Sequence, residues 1–277
     1  MTLPANFQFS QNSLQDYVNC PRLFELRYLL RCRWPALQSE PVLEMEHLLE
    51  QGSRFHQLVH QHTLGIPVEQ LSNLAQDQDL QLWWENYLHS APLNGLPVRR
   101  MPEYTLTSSF ANYRIIAKYD LVAIEPGQRA VIFDWKTASR KPSRFNLKER
   151  LQTRIYPFLL VEAGAYLNGS RPIQPEQVEM IYWFTNFPDE PEHFVYSQAE
   201  YQSDRAYLLK LIQEIQNHKE GQFLNTSAEK RCLFCNYRSL CNRGAEAGDW
   251  QRQDEETEPS DENPLEIDFY QIGEIEL

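Results

Sequence analysis

The segment 119–137, YDLVAIEPGQRAVIFDWKT, is the feature that most constrains the fold. Its two halves are rich in residues typical of strands, and a Pro-Gly pair marks a turn between them. Alternate residues of a strand face the same side, so Asp134 and Lys136 project together from the second half. Asp120 precedes the turn at a similar distance, which lets the two carboxylates approach each other. The segment therefore predicts an antiparallel hairpin with a charged group on one face.

The carboxylates of this hairpin indicate a metal site. Two close carboxylates repel each other unless a cation lies between them, and Mg²⁺ or Mn²⁺ prefers such oxygen ligands. An Asp-x-Lys pair alone is usually a solvated strand surface, but here Phe133 and Trp135 alternate with it. One face of this strand thus carries only the charged pair. Removing the pair from water would cost free energy, which a functional site would explain. We predict a cation that polarises a phosphoryl oxygen and lowers the pKa of a bound water, with Lys136 beside it.

The periodicity of the other segments predicts an α/β chain. Helices are expected over 41–63, 68–88, 146–167 and 198–218, and further strands from Met101, in QVEMIYWFT and in EHFVYS. In the helix after the hairpin, Gln152 and Tyr156 are four residues apart and share a face. Such a pair is suited to contacting a phosphate or to orienting the ligands of a metal, although ordinary helix surface explains it equally well.

The charge of the chain is unevenly distributed. The net charge is −12, but from Asp249 onwards there are eleven acidic residues and one basic residue. The rest of the chain is therefore close to neutral, and we expect 249–277 to be a disordered tail. A basic stripe of seven Lys and Arg residues, with one acid, lies between Lys136 and Arg154. Because Lys and Arg neutralise phosphates, this stripe is expected to follow a nucleic-acid backbone.

Three of the five cysteines lie close together in KRCLFCNYRSLC, as Cys232, Cys235 and Cys241. Such spacing is typical of metal ligation rather than of packing. Zinc and iron-sulfur clusters both take four thiolates, so a fourth ligand is expected. The remaining cysteines, Cys20 and Cys32, are the candidates for it. A site that joins both ends of the chain would reduce the conformational freedom of the unfolded state.

His56 and His60 form an H-x-x-x-H pair on the first long predicted helix. This spacing is found in zinc proteases, but Gln57 stands where such an enzyme needs its glutamate base. The protease interpretation therefore fails. His60 is then a partly buried or surface residue.

Together these motifs resemble the PD-(D/E)xK nucleases of the RecB and AddB nuclease-domain type, including the CRISPR-associated RecB-like exonucleases. That family has a helix histidine, a GxxD aspartate, a D/E-x-K pair and a QxxxY helix in this order. The corresponding segments here are GSRFHQLVH, AKYD, FDWK and QTRIY. Ala117 replaces the usual glycine and Pro157 follows the motif tyrosine, but neither change removes a functional group.

The resemblance implies roles for individual residues. His56, Asp120 and Asp134 would be metal ligands, with the Trp135 carbonyl as a fourth, and Lys136 would be the catalytic lysine. Gln152 and Tyr156 would complete the catalytic group, and Glu103 would be an outer-sphere or second-metal group.

The resemblance also implies a second cofactor and a fold. Cys20, Cys232, Cys235 and Cys241 would hold a [4Fe-4S] cluster, with zinc as the alternative. The fold would be a restriction-endonuclease-like mixed sheet flanked by helices. A cysteine-cluster cap would join the terminal segments of a nuclease domain spanning 1–248.

The expected function is phosphodiester hydrolysis on DNA, with exonuclease action on single strands or exposed ends favoured. Repair, recombination and CRISPR adaptation all fit, with a helicase or an adaptation protein as partner. No apolar run approaches the roughly 18 residues of a membrane span, so a cytoplasmic protein is expected. Two rival interpretations are a cluster-containing DNA-binding subunit that is active only in a larger complex, and a zinc scaffold that docks through IDFYQIGEIEL.

Overall fold

The computed structural model describes residues 3–32, 40–219, 221–233 and 235–244. The expected tail at 249–277, with its IDFYQIGEIEL segment, lies outside the described residues. The strands are β1 (Gln8–Ser10), β2 (Arg99–Phe110), β3 (Tyr113–Glu125), β4 (Arg129–Lys136), β5 (Val178–Phe184) and β6 (Phe187–Val195). The α-helices are α1 (Gln11–Asn19), α2 (Pro21–Phe24), α3 (Glu40–Thr63), α4 (Val68–Ser72), α5 (Gln78–Ser90), α6 (Arg144–Glu149), α7 (Leu151–Ala163), α8 (Gln198–Asn217) and α9 (Glu229–Cys232).

The strands form a mixed sheet in the order β1-β3-β4-β5-β6, with β2 also pairing with β3. The β3–β4 and β5–β6 pairs are antiparallel, whereas β4 and β5 are parallel. The predicted hairpin is the β3–β4 pair, in which Leu121 lies opposite Phe133. This is the last pair of the register on that side, and Asp120 and Asp134 are the residues next to it on the two strands. The prediction of a mixed central sheet flanked by helices is confirmed.

One face of the sheet packs against α3, α4 and α5. Large aromatic and aliphatic side chains from these helices fill the layer, because their apolar residues recur at helical spacing. The sheet contributes alternate residues of β4 and β5, since every second side chain of a strand faces the same layer. This core includes Phe55, Val59, Trp83, Tyr87, Val131, Phe133, Trp135, Ile181 and Trp183.

The other face of the sheet packs against α7. Thr153 Oγ1 on this helix lies 2.8 Å from the Tyr182 hydroxyl on β5. The Tyr119 hydroxyl on β3 donates a hydrogen bond to the Tyr156 carbonyl at 3.0 Å. Pro157 lies inside α7 without ending it. The sheet is thus covered on both sides, which explains why β4 is buried at nearly every position.

Two of the helices predicted from the sequence are each divided into shorter helices, so their predicted boundaries are wrong. The segment 68–88 forms α4 and α5, because the Asp77 carboxylate caps the second helix by accepting the Asp79 N–H at 3.0 Å. The segment 146–167 forms α6, α7 and a short 3₁₀ helix. Arg150 interrupts it with extended backbone angles, φ −64° and ψ 139°.

The chain divides into two compact units. The first contains the described residues of Met1–Leu48, Ser109–Ile115 and Tyr207–Leu277. The second contains Leu49–Ser108 and Ile116–Ala206. Within the first unit, the N-terminal and C-terminal segments touch, because Phe24 stacks on Phe223 and the Arg22 N–H donates to the Leu224 carbonyl. Asp120, Asp134 and Lys136 of the hairpin all lie in the second unit.

No helix in the described parts of the chain combines the length and the apolar character that crossing a bilayer requires.

Candidate active site

Asp134 and Lys136 lie at the end of β4, on the face of the sheet covered by α7. Their side chains are buried, and Lys136 Nζ lies 3.1 Å from Asp134 Oδ2. Trp135 between them faces the opposite layer, where its ring contacts Tyr87 and Trp183. The alternation of the strand thus separates a charged pair from an aromatic core. The strand end offers a carboxylate and an ammonium together.

Asp120 lies on β3 beside this pair. Its Oδ2 accepts the Trp135 backbone N–H at 2.9 Å, which ties the carboxylate to the end of β4. His56 reaches it from α3, with 3.4 Å between His56 Nδ1 and Asp120 Oδ1. The helix lies close to the end of β4 here, since a Cβ added to Gly52 would be only 3.0 Å from Thr137 Oγ1. A residue without a side chain at this position lets α3 present His56 to the strands.

Glu103 on β2 completes a compact group of donors. One ligand atom from each of His56, Glu103 and Asp120 lies within 4.8 Å of the other two. Glu103 has a φ of 50°, a left-handed conformation that costs energy in a residue other than glycine. Such strain is found where a strand is locally bent to direct a side chain. In this position the strand aims Glu103 at the same point as His56 and Asp120.

The donor chemistry of this group fits a divalent cation. One imidazole nitrogen and two carboxylates suit Mg²⁺ or Mn²⁺. Within the part of the chain that the structure describes, no other group of three or more His, Cys, Asp or Glu residues meets the same 4.8 Å distance. Asp134, expected from the sequence to be a ligand, is not in the group. Its Oδ1 instead accepts a hydrogen bond from Gln152 Nε2 at 2.6 Å.

The negative charge of the site changes the pKa values of its members. Burial is the main reason that the pKa of Asp134 is raised to about 7; Lys136 opposes this rise, and Asp120 adds to it. Burial alone would lower the pKa of His56, but Asp120, Asp134 and Glu103 raise it to about 9. Without a metal, His56 therefore holds a proton beside the Asp120 carboxylate, and Asp134 holds one below about pH 7. A divalent cation would neutralise the same carboxylates and displace those protons.

The two motif residues of α7 have different surroundings. Gln152 is buried and contacts Asp134 directly. Tyr156 is also buried, and its ring lies 4.8 Å from the ring of Tyr119, measured between centroids. The Tyr119 hydroxyl in turn donates a hydrogen bond to the Tyr156 carbonyl. Gln152 is thus positioned to orient Asp134, whereas the packing of Tyr156 supports the helix on the sheet.

The expected basic stripe is largely neutralised by ion pairs. Lys141 and Arg144 both contact Glu192, at 2.9 Å and 2.8 Å. Lys148 lies 3.7 Å from Glu200, and Arg154 lies 3.2 Å from Asp204. The idea that all of these residues follow a polyanion backbone is therefore not supported. Their acidic partners come from later in the chain, which is why the local sequence looked strongly basic.

The four cysteines of the expected cluster all lie in the first unit. The Thr226 N–H points to Cys20 Sγ at 3.4 Å, so the N-terminal cysteine touches the C-terminal segment. Burial, together with the nearby thiols of Cys20, Cys241 and Cys232, raises the pKa of the Cys235 thiol to about 11. No three cysteine sulfurs of the described chain lie within 4.8 Å of one another. Tetrahedral zinc would hold them about 3.8 Å apart.

Sequence reasoning missed Lys118. This lysine lies on β3 two residues before Asp120, and its Nζ is 2.8 Å from Glu103 Oε2. Strand alternation was the available signal, because residues two apart on β3 are expected to share a face. Glu103 was considered only as an outer-sphere or second-metal group, and the structure brings it into the same group as His56 and Asp120.

Comparison with known proteins identifies relatives of this chain. A model of the PD-(D/E)XK nuclease superfamily matches residues 8–242. A structure from Eubacterium rectale, named "Putative exonuclease", is 12% identical with a TM-score of 0.50, and the match covers 86% of this chain and 89% of that one. A structure named SSO0001 is also 12% identical, with a TM-score of 0.41 and coverage of 84% and 85%. No curated protein is significantly similar in sequence.

Proposed function

Because the chain belongs to the PD-(D/E)XK nuclease superfamily and is a nuclease of the metal-dependent class, we propose that it hydrolyses phosphodiester bonds in DNA, as an exonuclease on single strands or exposed ends. The observation that carries the proposal is the convergence of His56, Glu103 and Asp120 beside the buried Asp134–Lys136 pair. A histidine, three carboxylates and a lysine supply both metal ligands and a cation for phosphoryl transfer.

In this proposal His56, Glu103 and Asp120 hold one Mg²⁺ or Mn²⁺. The bound cation would polarise a phosphoryl oxygen and make a water more acidic. Asp134, on the neighbouring strand β4, is proposed as a further ligand, as expected from the sequence. The Trp135 carbonyl is the expected backbone ligand, and it belongs to the residue whose N–H already binds Asp120. These are the assignments expected from the sequence, with Glu103 added to the inner ligands.

Lys136 is proposed as the catalytic lysine. Its ammonium is held by Asp134 at 3.1 Å and lies 5.8 Å from the centre of the Tyr182 ring. A buried cation in a fixed position stabilises negative charge that develops on a phosphate more strongly than a solvated one would. Gln152 fixes the Asp134 carboxylate from the other side. Tyr156 acts by holding α7, and so Gln152, against the sheet.

Exonuclease action is the finer part of the proposal. Two considerations support it: the resemblance to RecB-like exonucleases, and the E. rectale structure, whose name is that of an exonuclease and whose fold is similar. DNA as the substrate, and a helicase or CRISPR-adaptation protein as the partner, follow from the same resemblance. Cytoplasmic location is part of this proposal.

We further propose that Cys20, Cys232, Cys235 and Cys241 hold a [4Fe-4S] cluster. Each thiolate of such a cluster binds a different iron, so its sulfurs lie further apart than around a single zinc ion. Support for a shared site comes from the thiols of Cys20, Cys232 and Cys241, each of which raises the pKa of the Cys235 thiol and therefore lies near it. Zinc remains the alternative. A cluster here would connect the terminal segments of a nuclease domain spanning residues 1–248.

A second candidate function is a DNA-binding subunit that cleaves only within a larger complex. The ion pairs of Lys141, Arg144, Lys148 and Arg154 favour it, because cations that already face carboxylates attract a polyanion less strongly. In that case a partner would supply the missing positive surface. Cleavage would then require the partner even when the site is complete.

The test is cleavage of end-labelled single-stranded and duplex DNA in the presence of Mn²⁺. Lys136→Ala and Asp134→Ala should each lower the rate at least about a hundredfold, and EDTA should abolish activity in the parent. Lys148→Ala is the control, because it removes an exposed lysine whose carboxylate partner lies 3.7 Å away. Full activity in both site variants would refute the assignment. Cleavage by the parent only after a partner is added would favour the second function.

A further inference from the structure

A second lysine lies at the exposed edge of the metal-ligand group. Lys118 Nζ is 2.8 Å from Glu103 Oε2, and the Lys118 side chain is 51% exposed. Lys136, by contrast, is 7% exposed and is held inside the site by Asp134. The two lysines therefore lie in different surroundings. Lys136 faces the interior of the site, and Lys118 is open to solvent beside it.

The Glu103 carboxylate can take part in two interactions that compete with each other. Its carboxylate pairs with Lys118, and one of its oxygens also lies within 4.8 Å of the ligand atoms of His56 and Asp120. A divalent cation bound by these three residues would be attracted by the negative charge of the Glu103 carboxylate. The same cation would repel the nearby ammonium, since like charges at short range are unfavourable. Metal binding therefore weakens the attraction between Glu103 and Lys118.

We propose that Lys118 exchanges partners when the site is loaded: it holds Glu103 in the metal-free protein and binds a phosphate oxygen of the nucleic acid once Glu103 ligates the cation. The half-exposed position of Lys118 and its 2.8 Å contact with Glu103 carry this proposal. It rests on the proposed nuclease function for the identity of the anion. It assigns Lys118 to substrate positioning, distinct from the role of Lys136.

The first test is Mn²⁺ binding to the full chain by titration calorimetry, without DNA. Lys118→Met removes the competing ammonium, so Mn²⁺ should bind about threefold to tenfold more tightly. Arg129→Met is the matched control, because Arg129 is 43% exposed and pairs with Glu179 at 2.8 Å at the other end of β4. Its Mn²⁺ affinity should equal that of the parent. An unchanged or weaker affinity in Lys118→Met would overturn the exchange, since a lysine that merely orients Glu103 would help metal binding.

The second test is binding of a labelled single-stranded oligonucleotide, made in a Lys136→Ala background so that no cleavage occurs. With Mn²⁺, Lys118→Met should weaken oligonucleotide binding at least about threefold. It should also lower the slope of log affinity against log salt concentration by about the amount that one phosphate contact contributes. In EDTA the same substitution should have little effect, because Glu103 then holds the lysine. Equal losses under both conditions would contradict the exchange. Lys118→Arg keeps the charge and should bind like its parent.

The two tests separate the inference from the function on which it rests. If no variant binds any oligonucleotide with Mn²⁺, the proposed function is overturned, whereas the calorimetric result still reports on Lys118 and Glu103. If the oligonucleotide binds equally well to Lys118→Met and its parent, only the exchange is overturned. Lys118→Gln provides a second neutral variant, and thermal unfolding of each protein establishes that it is folded.

Discussion

Gln152 on α7 donates a hydrogen bond from Nε2 to Oδ1 of Asp134 at 2.6 Å, with both side chains buried between the helix and the sheet. This contact links the helix motif to the strand motif of the site. It also fixes one carboxylate oxygen while the other lies 3.1 Å from Lys136. The orientation of Asp134 is therefore set from two elements at once.

Gln152→Ala should lower the cleavage rate about tenfold or more and destabilise the fold by about 1 to 3 kcal/mol. The reason is that a buried carboxylate oxygen then loses its donor. Cleavage kinetics and urea unfolding measure the two effects. Gln128→Ala is the matched control, because Gln128 Nε2 donates to Glu125 Oε1 at 2.9 Å on the exposed surface. Similar losses in both variants would contradict a special role for Gln152.

The strand part of the site was predictable because its geometry is local. Residues two apart on β4 must share a face, so the pairing of Asp134 with Lys136 follows from the sequence alone. The approach of Asp120 follows from the length of the hairpin. The mixed sheet was expected from the family resemblance, and the positions of the long helices followed from apolar periodicity. The hairpin and the helix positions, unlike the order of the sheet, depend on short-range rules that a segment obeys independently of the rest of the chain.

Other features depend on contacts between distant segments. Glu103 reaches His56 and Asp120 through a left-handed backbone angle on β2. A glutamate at that position does not predict such an angle. The neutralisation of the basic stripe depends on Glu192, Glu200 and Asp204, which follow it in the chain by tens of residues. A sequence read segment by segment could not pair these charges.

Gly52 shows how a single position controls the approach of α3. A Cβ there would lie 3.0 Å from Thr137 Oγ1. Gly52→Val should therefore displace the helix turn that carries His56 and weaken Mn²⁺ binding about tenfold. Thr137→Ala removes the crowded hydroxyl, so the double variant should recover part of the affinity, a coupling that a double-mutant cycle measures. Additive effects of the two substitutions would argue against this contact.

The cysteines give a prediction about metal content. Cys235→Ser should lower bound iron, or zinc in the alternative, and destabilise the protein by about 3 kcal/mol or more. The reason is that a cluster joining residues 20 and 235 restricts a very long loop of the unfolded chain. Elemental analysis, visible absorbance and urea unfolding are the measurements. Cys32→Ser is the control and should keep the parent metal content. A loss of metal in Cys32→Ser but not in a Cys20→Ser variant would reassign the fourth ligand.

Asp204 on α8 is a buried titratable group outside the site. Its carboxylate accepts hydrogen bonds from the Tyr196 hydroxyl at 3.0 Å and from Arg154 at 3.2 Å. Burial nevertheless raises its pKa to about 6, from an ordinary value of 3.8. Arg154 lies on α7, two residues after Gln152, so this cluster connects the helix of the active site to α8.

The direction of the pH effect follows from this raised pKa. Between pH 4 and pH 6 the unfolded chain has lost the Asp204 proton while the folded chain still holds it, so the free energy of unfolding falls as the pH rises. The contribution of Asp204 is complete below pH 4 and lost above pH 6, with a size of up to about 3 kcal/mol. Asp204→Asn should therefore reduce the fall in stability between pH 4 and pH 6, measured by urea unfolding at each pH. Glu149→Gln is the control, since Glu149 also contacts Arg154 but is largely exposed. An unchanged pH dependence in Asp204→Asn would mean that other groups dominate this range, and that the Arg154 pair keeps Asp204 ionised in the folded protein.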